Sequence, residues 1–178
     1  MQTYEGDDIW EMVGIAWIVI PTNIGYKAKP KGKGAKFWNV GPNVMGRGLA
    51  RDAAERYPWI PQHYGEYCWL KSVDASVVYD LKSRLVFFPV KPLDEEKPWQ
   101  SWKHKADLGL IRKSAAQLNE ILLPHKDTPW PNAGPLKTNH IVVPVVGCGN
   151  GGLDEDDVIP VLKEELDDRH TLYLHRPF

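Results

Sequence analysis

Four glycines fall within six residues at Gly147-Cys148-Gly149-Asn150-Gly151-Gly152, between an apolar run and the acidic stretch that starts at Asp154. A tight turn needs fewer. This density lets backbone N–H groups close on an anion such as a diphosphate where a strand gives way to a helix. Gly147, Gly149 and Gly152 also satisfy G-x-G-x-x-G. A dinucleotide site of that kind needs a further strand with an acidic residue about 20 positions on, and more sheet beyond it. The chain ends at Phe178, which argues against one. A second loop, Asn43-Val44-Met45-Gly46-Arg47-Gly48-Leu49, lacks the G-K-[ST] ending of a nucleoside-triphosphate loop. Two such loops suit a ligand with a diphosphate and a sugar between them. Lys91 follows the apolar run Leu85-Val86-Phe87-Phe88-Pro89-Val90, so it emerges at a strand end, where a crevice lowers an amine's pKa. Asn23 lies just after another apolar run, at the position where strand ends form the crevice of open α/β sheets. Cys148 has the chemistry of a nucleophile but no base partner in the sequence. The histidines share no ligand spacing, and Cys68 and Cys148 are too few for a four-ligand zinc site or a disulfide framework. No metal and no cofactor is expected.

The elements that must carry these residues are legible as patterns. Ile15–Ile20 is a β-branched apolar run ended by Pro21, hence a buried strand. Residues 25–43 read as a long loop, Leu49–Tyr57 as a helix, and His63–Leu70 as a short second helix. Val77–Asp80 and Leu85–Phe88 read as short strands. Leu108, Ile111, Ala115, Leu118 and Leu122 recur at helical spacing within a helix over Lys103–Leu122. A Pro-rich loop covers 124–136. Ile141–Val146 reads as a central strand, Asp156–Leu166 as a helix and Thr171–Leu174 as a last strand. Strands alternating with helices give an α/β architecture around a mixed or parallel sheet.

The chain has 178 residues, 43% apolar and 25% charged, with 22 Lys+Arg against 23 Asp+Glu. This is one globular domain spanning 1–178, neither disordered nor fibrous. No apolar run approaches the roughly 20 residues of a membrane span, and the first residues lack the pattern of a signal peptide. A reduced cytoplasmic protein without membrane contact is expected. The net charge of −1 does not describe a general nucleic-acid binder. Lys27, Lys29, Lys31, Lys33 and Lys36, however, crowd ten residues with Gly32, Gly34 and Pro30. That segment is either a solvated loop or a grip on a phosphate backbone.

In order along the chain, Asp8-Ile9, Pro21-Thr22-Asn23, Val44-Met45-Gly46-Arg47-Gly48-Leu49-Ala50, Phe88-Pro89-Val90-Lys91 and Gly147-Cys148-Gly149-Asn150-Gly151-Gly152-Leu153 resemble a macrodomain. Within that superfamily the chain is most similar to the branch of the DarG-type DNA ADP-ribosyl glycohydrolase antitoxins and the terminal ADP-ribose protein glycohydrolase. The resemblance runs over roughly residues 6–176. It implies a three-layer α/β/α fold with a six-stranded mixed sheet and ADP-ribose in a cleft at the strand ends. It further implies that Asp8 bonds the adenine amino group, with Ile9 packed nearby and Asn23 beside the distal ribose. Val44, Met45, Gly46 and Gly48 would form the first phosphate and ribose loop, and Gly147, Cys148, Gly149, Asn150, Gly151 and Gly152 the second. Lys91 matches the lysine that attacks or polarises the anomeric carbon. Two positions depart from the pattern. Gly151 stands where the protein-directed glycohydrolase has an aspartate, which favours the antitoxin-like branch, and Glu155 stands where a tryptophan is frequent. The implied activity is release of ADP-ribose from a modified DNA base or protein side chain, with a cognate ADP-ribosyltransferase toxin as a partner. A non-catalytic ADP-ribose-binding module and an ADP-ribose-1″-phosphate phosphatase are the alternatives.

Overall fold

The β-branched runs become the centre of a sheet. The computed structural model describes residues 1–30, 38–121 and 140–175. Its strands and helices in chain order are β1 (Gln2–Gly6), β2 (Trp17–Asn23), β3 (Ala28–Pro30), β4 (Trp38–Val40), α1 (Gly48–Arg56), α2 (Ile60–Lys71), β5 (Val78–Asp80), β6 (Leu85–Lys91), α3 (Leu108–Ile121), β7 (Ile141–Pro144), α4 (Glu155–Glu165) and β8 (His170–His175). Six strands form one mixed sheet in the order β1-β8-β7-β2-β6-β5. All neighbours are parallel except β5, which runs antiparallel to β6 at one edge. β3 and β4 pair with each other as a separate hairpin.

Alternation along the central strands sends side chains into two cores. Val19, Val86, Phe88, Val90, Ile141 and Val143 pack under α3 and α4 through Ile111, Ala115, Leu118, Val158 and Leu162. Ile18, Ile20, Leu85, Phe87 and Val142 face α1 and α2 through Ala53, Ile60, Tyr64 and Cys68. Helices on both faces of a mostly parallel sheet make the expected three layers. Among the described residues, no helix is long and apolar enough to cross a membrane.

Several expected boundaries move, each for a physical reason. β2 runs through Pro21 to Asn23 instead of ending at Ile20. Trp17 donates its N–H toward β7 (to His140 O) and Ile18 donates toward β6 (to Arg84 O), so by alternation the Pro21 nitrogen faces β7. Pairing between β2 and β7 stops at Ile18 and Val142, so this proline breaks no ladder bond. β7 likewise ends at Pro144, short of Val146, and its nitrogen faces the same gap. β6 extends to Lys91. A bulge between Thr22 and Asn23 shifts the register so that Asn23 pairs with Lys91. The long helix begins at Leu108, because Asp107 accepts from Leu110 N–H and the preceding Pro98–Lys103 forms a 3₁₀ turn. α2 starts at Ile60 with Pro61 in its first turn, where proline is tolerated. The segment 25–43 contains the β3–β4 hairpin and is no plain loop. Lys31, Lys33, Lys36, Leu122 and the Pro-rich stretch 124–136 lie outside the described residues.

Candidate functional site

The order of the sheet strands reverses direction between β7 and β2, and a crevice opens there beyond the strand ends, as the topology demands. It is a cleft of about 570 Å³. Pro21, Asn23, Lys91 and Pro144 form its base. Gly46 and Gly48 line it from the first glycine loop, Gly147 to Gly151 from the second, and Trp102 and Lys103 from the 3₁₀ turn.

The first loop is tied down by two buried amides. Asn43 Nδ2 donates to Gly25 O (2.6 Å) and Asn23 O (2.9 Å), while Asn23 Nδ2 donates to Val44 O (2.9 Å) and its Oδ1 accepts from Gly25 N–H (2.9 Å). Asn23 therefore lines the cleft and also fixes the loop beside it. The second loop is shaped by backbone conformation. Gly147, Gly149 and Gly152 have φ of +76°, +52° and +74°, a region that strains other residues. Leu153 N–H closes the loop on Gly147 O (3.1 Å). The loops approach at Gly48, where a Cβ would stand 3.4 Å from Asn150 Nδ2. At Gly46 and Gly149 an added Cβ would meet nothing within 4 Å, so both open onto free space.

Lys91 extends from the end of β6, and its Nζ donates to two backbone carbonyls, Trp102 O (2.9 Å) and Asn150 O (2.9 Å). Burial and then the nearby Arg47 guanidinium push its pKa below the ordinary lysine value. Cys148 is the opposite case. Burial, followed by the carboxylates of Glu155, Asp154 and Asp157, pushes its thiol up to about 11. At neutral pH it is a protonated thiol and a poor nucleophile.

Of the residues singled out in the sequence, Asn23, Val44, Gly46, Gly48, Lys91, Gly147, Cys148, Gly149, Asn150 and Gly151 line this one cleft. Asp8, Ile9, Met45 and Gly152 do not. Asp8 Oδ1 accepts from Trp10 N–H (2.9 Å) and caps the Ile9–Met12 turn, whose Ile9 and Trp10 are buried. Met45 turns from the first loop into the core that faces α1 and α2 and is buried there. Sequence reasoning missed Arg47, Trp102, Lys103 and Asn43. Arg47 had a signal, since it sits between the two glycines of the first loop; Trp102 and Lys103 had none. Glu155, noticed only as a departure, lines the cleft too. Among the described residues, no cluster of His, Cys, Asp and Glu could hold a metal ion.

The sequence matches no protein-family model and no curated protein. Solved structures do resemble it. The macrodomain of Thermus aquaticus DarG superposes with a TM-score of 0.66 at 20% identity, covering 99% of both chains. The macrodomain of Mycobacterium tuberculosis DarG gives 0.61 at 21% identity over 97% of both. Thermosipho africanus DarTG in complex with ADP-ribose gives 0.62 at 18% identity over 97% of this chain, which spans 41% of that one. With a six-stranded mixed sheet between two helical layers and a cleft where the strand order reverses, this chain has the macrodomain fold.

Proposed function

We propose that this protein binds ADP-ribose in the cleft and acts as an ADP-ribosyl glycohydrolase, with Lys91 as the catalytic residue. The observation that carries this reading is the Lys91 amine suspended between the Trp102 and Asn150 carbonyls, at the foot of two glycine loops. Two of the nitrogen's positions are committed to those carbonyls. The remaining one is a lone pair when the amine is neutral and an N–H when it is charged. A neutral amine forms a C1″–Nζ bond while the bond to the DNA base or protein side chain breaks and its electron pair leaves with that group. The proton shed by Nζ goes to the leaving group, and water then releases ADP-ribose and restores the amine. A charged amine instead donates its proton to the leaving group as the bond to that group breaks and water attacks C1″, and the proton shed by the water restores the amine. The glycine loops offer backbone N–H groups to the diphosphate. The complex of the Thermosipho africanus protein with ADP-ribose, a relative in fold, supports this choice of ligand. In this reading the adenosine end reaches past the cleft lining to Asp8, whose second carboxylate oxygen accepts from the adenine amino group with Ile9 packed nearby, and an ADP-ribosyltransferase supplies the modified substrate.

Free ADP-ribose is expected to bind in the micromolar range, about −8 kcal/mol, and to raise the melting temperature. A calorimetric titration without heat or thermal shift overturns the ligand. Lys91→Ala is expected to slow release of ADP-ribose from modified DNA or protein by at least about 100-fold, near 3 kcal/mol of barrier, and to weaken ADP-ribose binding far less. Equal rates in both proteins remove Lys91 from the chemistry. If both bind and neither hydrolyses, the protein is a binding module.

A further inference from the structure

Arg47 immediately precedes α1, extended at φ −149° and ψ 154°, and no side-chain hydrogen bond ties it to that helix. Its guanidinium carbon lies 5.6 Å from the centroid of the Trp102 ring, and both residues line the cleft. The carbonyl of the same Trp102 accepts from Lys91 Nζ. A path of contacts therefore runs from Arg47 to the indole, and through that residue's backbone to the amine. Four charged or titratable side chains other than Lys91 line the cleft: Arg47, Lys103 on the 3₁₀ turn, Cys148 in the second loop and Glu155 at the start of α4. Lys103 Nζ lies 5.7 Å from the Trp102 ring centroid. Cys148 is a neutral thiol. Arg47 is the charge that acts on the Lys91 amine.

We propose that Arg47 is a positioning residue for Lys91: it holds Trp102, whose carbonyl grips the amine, and sets a positive charge against that amine. The proposal rests on the reading of Lys91 as catalytic, yet it can be tested without substrate. The full chain is acylated with acetic anhydride across a pH series, and modification of Lys91 is read by peptide-resolved mass spectrometry. Arg47 is exposed, so Arg47→Lys, Arg47→Gln and Arg47→Glu should melt like the parent. The pH midpoint for Lys91 should stay in place for Lys, rise for Gln and rise further for Glu, following charge. Trp102→Leu should also raise it, because the guanidinium loses its seat. In turnover, Arg47→Gln should lower kcat more than it changes KM, move upward the limb of the pH–rate profile that Lys91 sets (the acid limb for a neutral nucleophile, the alkaline limb for a charged donor), and be rescued by Arg47→Lys. A midpoint identical across the Arg47 series overturns the proposal. A shift in Arg47→Gln without one in Trp102→Leu overturns the route through the indole. If the midpoints follow charge but Lys91→Ala hydrolyses like the parent, the catalytic reading falls while the pairing of Arg47 with Lys91 stands.

Discussion

Gly46 and Gly149 stand on opposite walls of the cleft, each opening onto free space, yet the loops that carry them are held by different means. Side-chain amides hold the first: Asn43 and Asn23 between them satisfy the carbonyls of Asn23, Gly25 and Val44. Left-handed glycines shape the second, and close packing, the Lys91 amine on Asn150 O and a backbone hydrogen bond hold it. A Cβ on Gly147 would stand 2.7 Å from Ile111 Cδ1, and Gly151 O accepts from Ala106 N–H (2.8 Å). Their charges differ as well, with Arg47 in the first and Glu155, Asp154 and Asp157 behind the second. A ligand-shaped surface can thus be fixed by side-chain amides on backbone carbonyls or by glycine backbone conformation against a packed neighbour, and the two respond differently to mutation.

The largest effect should fall on the loop that glycines shape. Gly147→Val forces a branched residue into the left-handed region, at about 1–2 kcal/mol, and overpacks Ile111 by a further 1–3 kcal/mol or so. A loss of about 4 kcal/mol would lower the melting temperature by roughly 10 °C; a change under about 1 kcal/mol would show that glycine does not shape this loop. Next comes Asn43→Ala, which leaves the carbonyls of Asn23 and Gly25 without that donor. It should cost about 3 kcal/mol in denaturant unfolding, and a neutral result would dissolve the contrast between the loops. Gly46→Val should leave stability within about 0.5 kcal/mol yet weaken ADP-ribose binding at least about tenfold, or 1.4 kcal/mol, by calorimetry. Unchanged binding would place the ligand away from the first loop. The smallest effect concerns charge. Cys148 alkylation should be slow at pH 7.5 and accelerate until about pH 11, because burial and the acidic neighbours disfavour the thiolate. Glu155→Gln removes one of those carboxylates, so it should speed alkylation at fixed pH by roughly threefold. A slower reaction would contradict the field assigned to the second loop.

What the sequence disclosed follows from the range of the interactions involved. The second loop was legible because glycine density is a local signal, and Lys91 because an apolar run ends in a cation. The two-amide knot was not: Asn23 and Asn43 are twenty positions apart, and nothing in either residue announces the other. A hint lay in Gly65 inside α2, where a Cβ would come within 2.5 Å of Asn43 N, so the helix must press directly on the first loop. β1 escaped notice because it lies at the sheet edge with Gln2 to Glu5 exposed, which erases the alternation that betrays a strand. Trp102 was hidden among eight tryptophans, in a turn without periodicity. Proline 21 misled because its rule concerns lost hydrogen bonds, and here the bond it would lose has no partner strand to receive it.

That last feature has a kinetic meaning. Pro21 and Pro144 face the same gap, and each lacks the N–H that would carry the β2–β7 ladder one step further. The two strands cannot zip together there, so no strand pairing has to break when a ligand arrives. Entry is then governed by diffusion and desolvation, and association should remain a single fast phase whose rate grows linearly with ligand concentration.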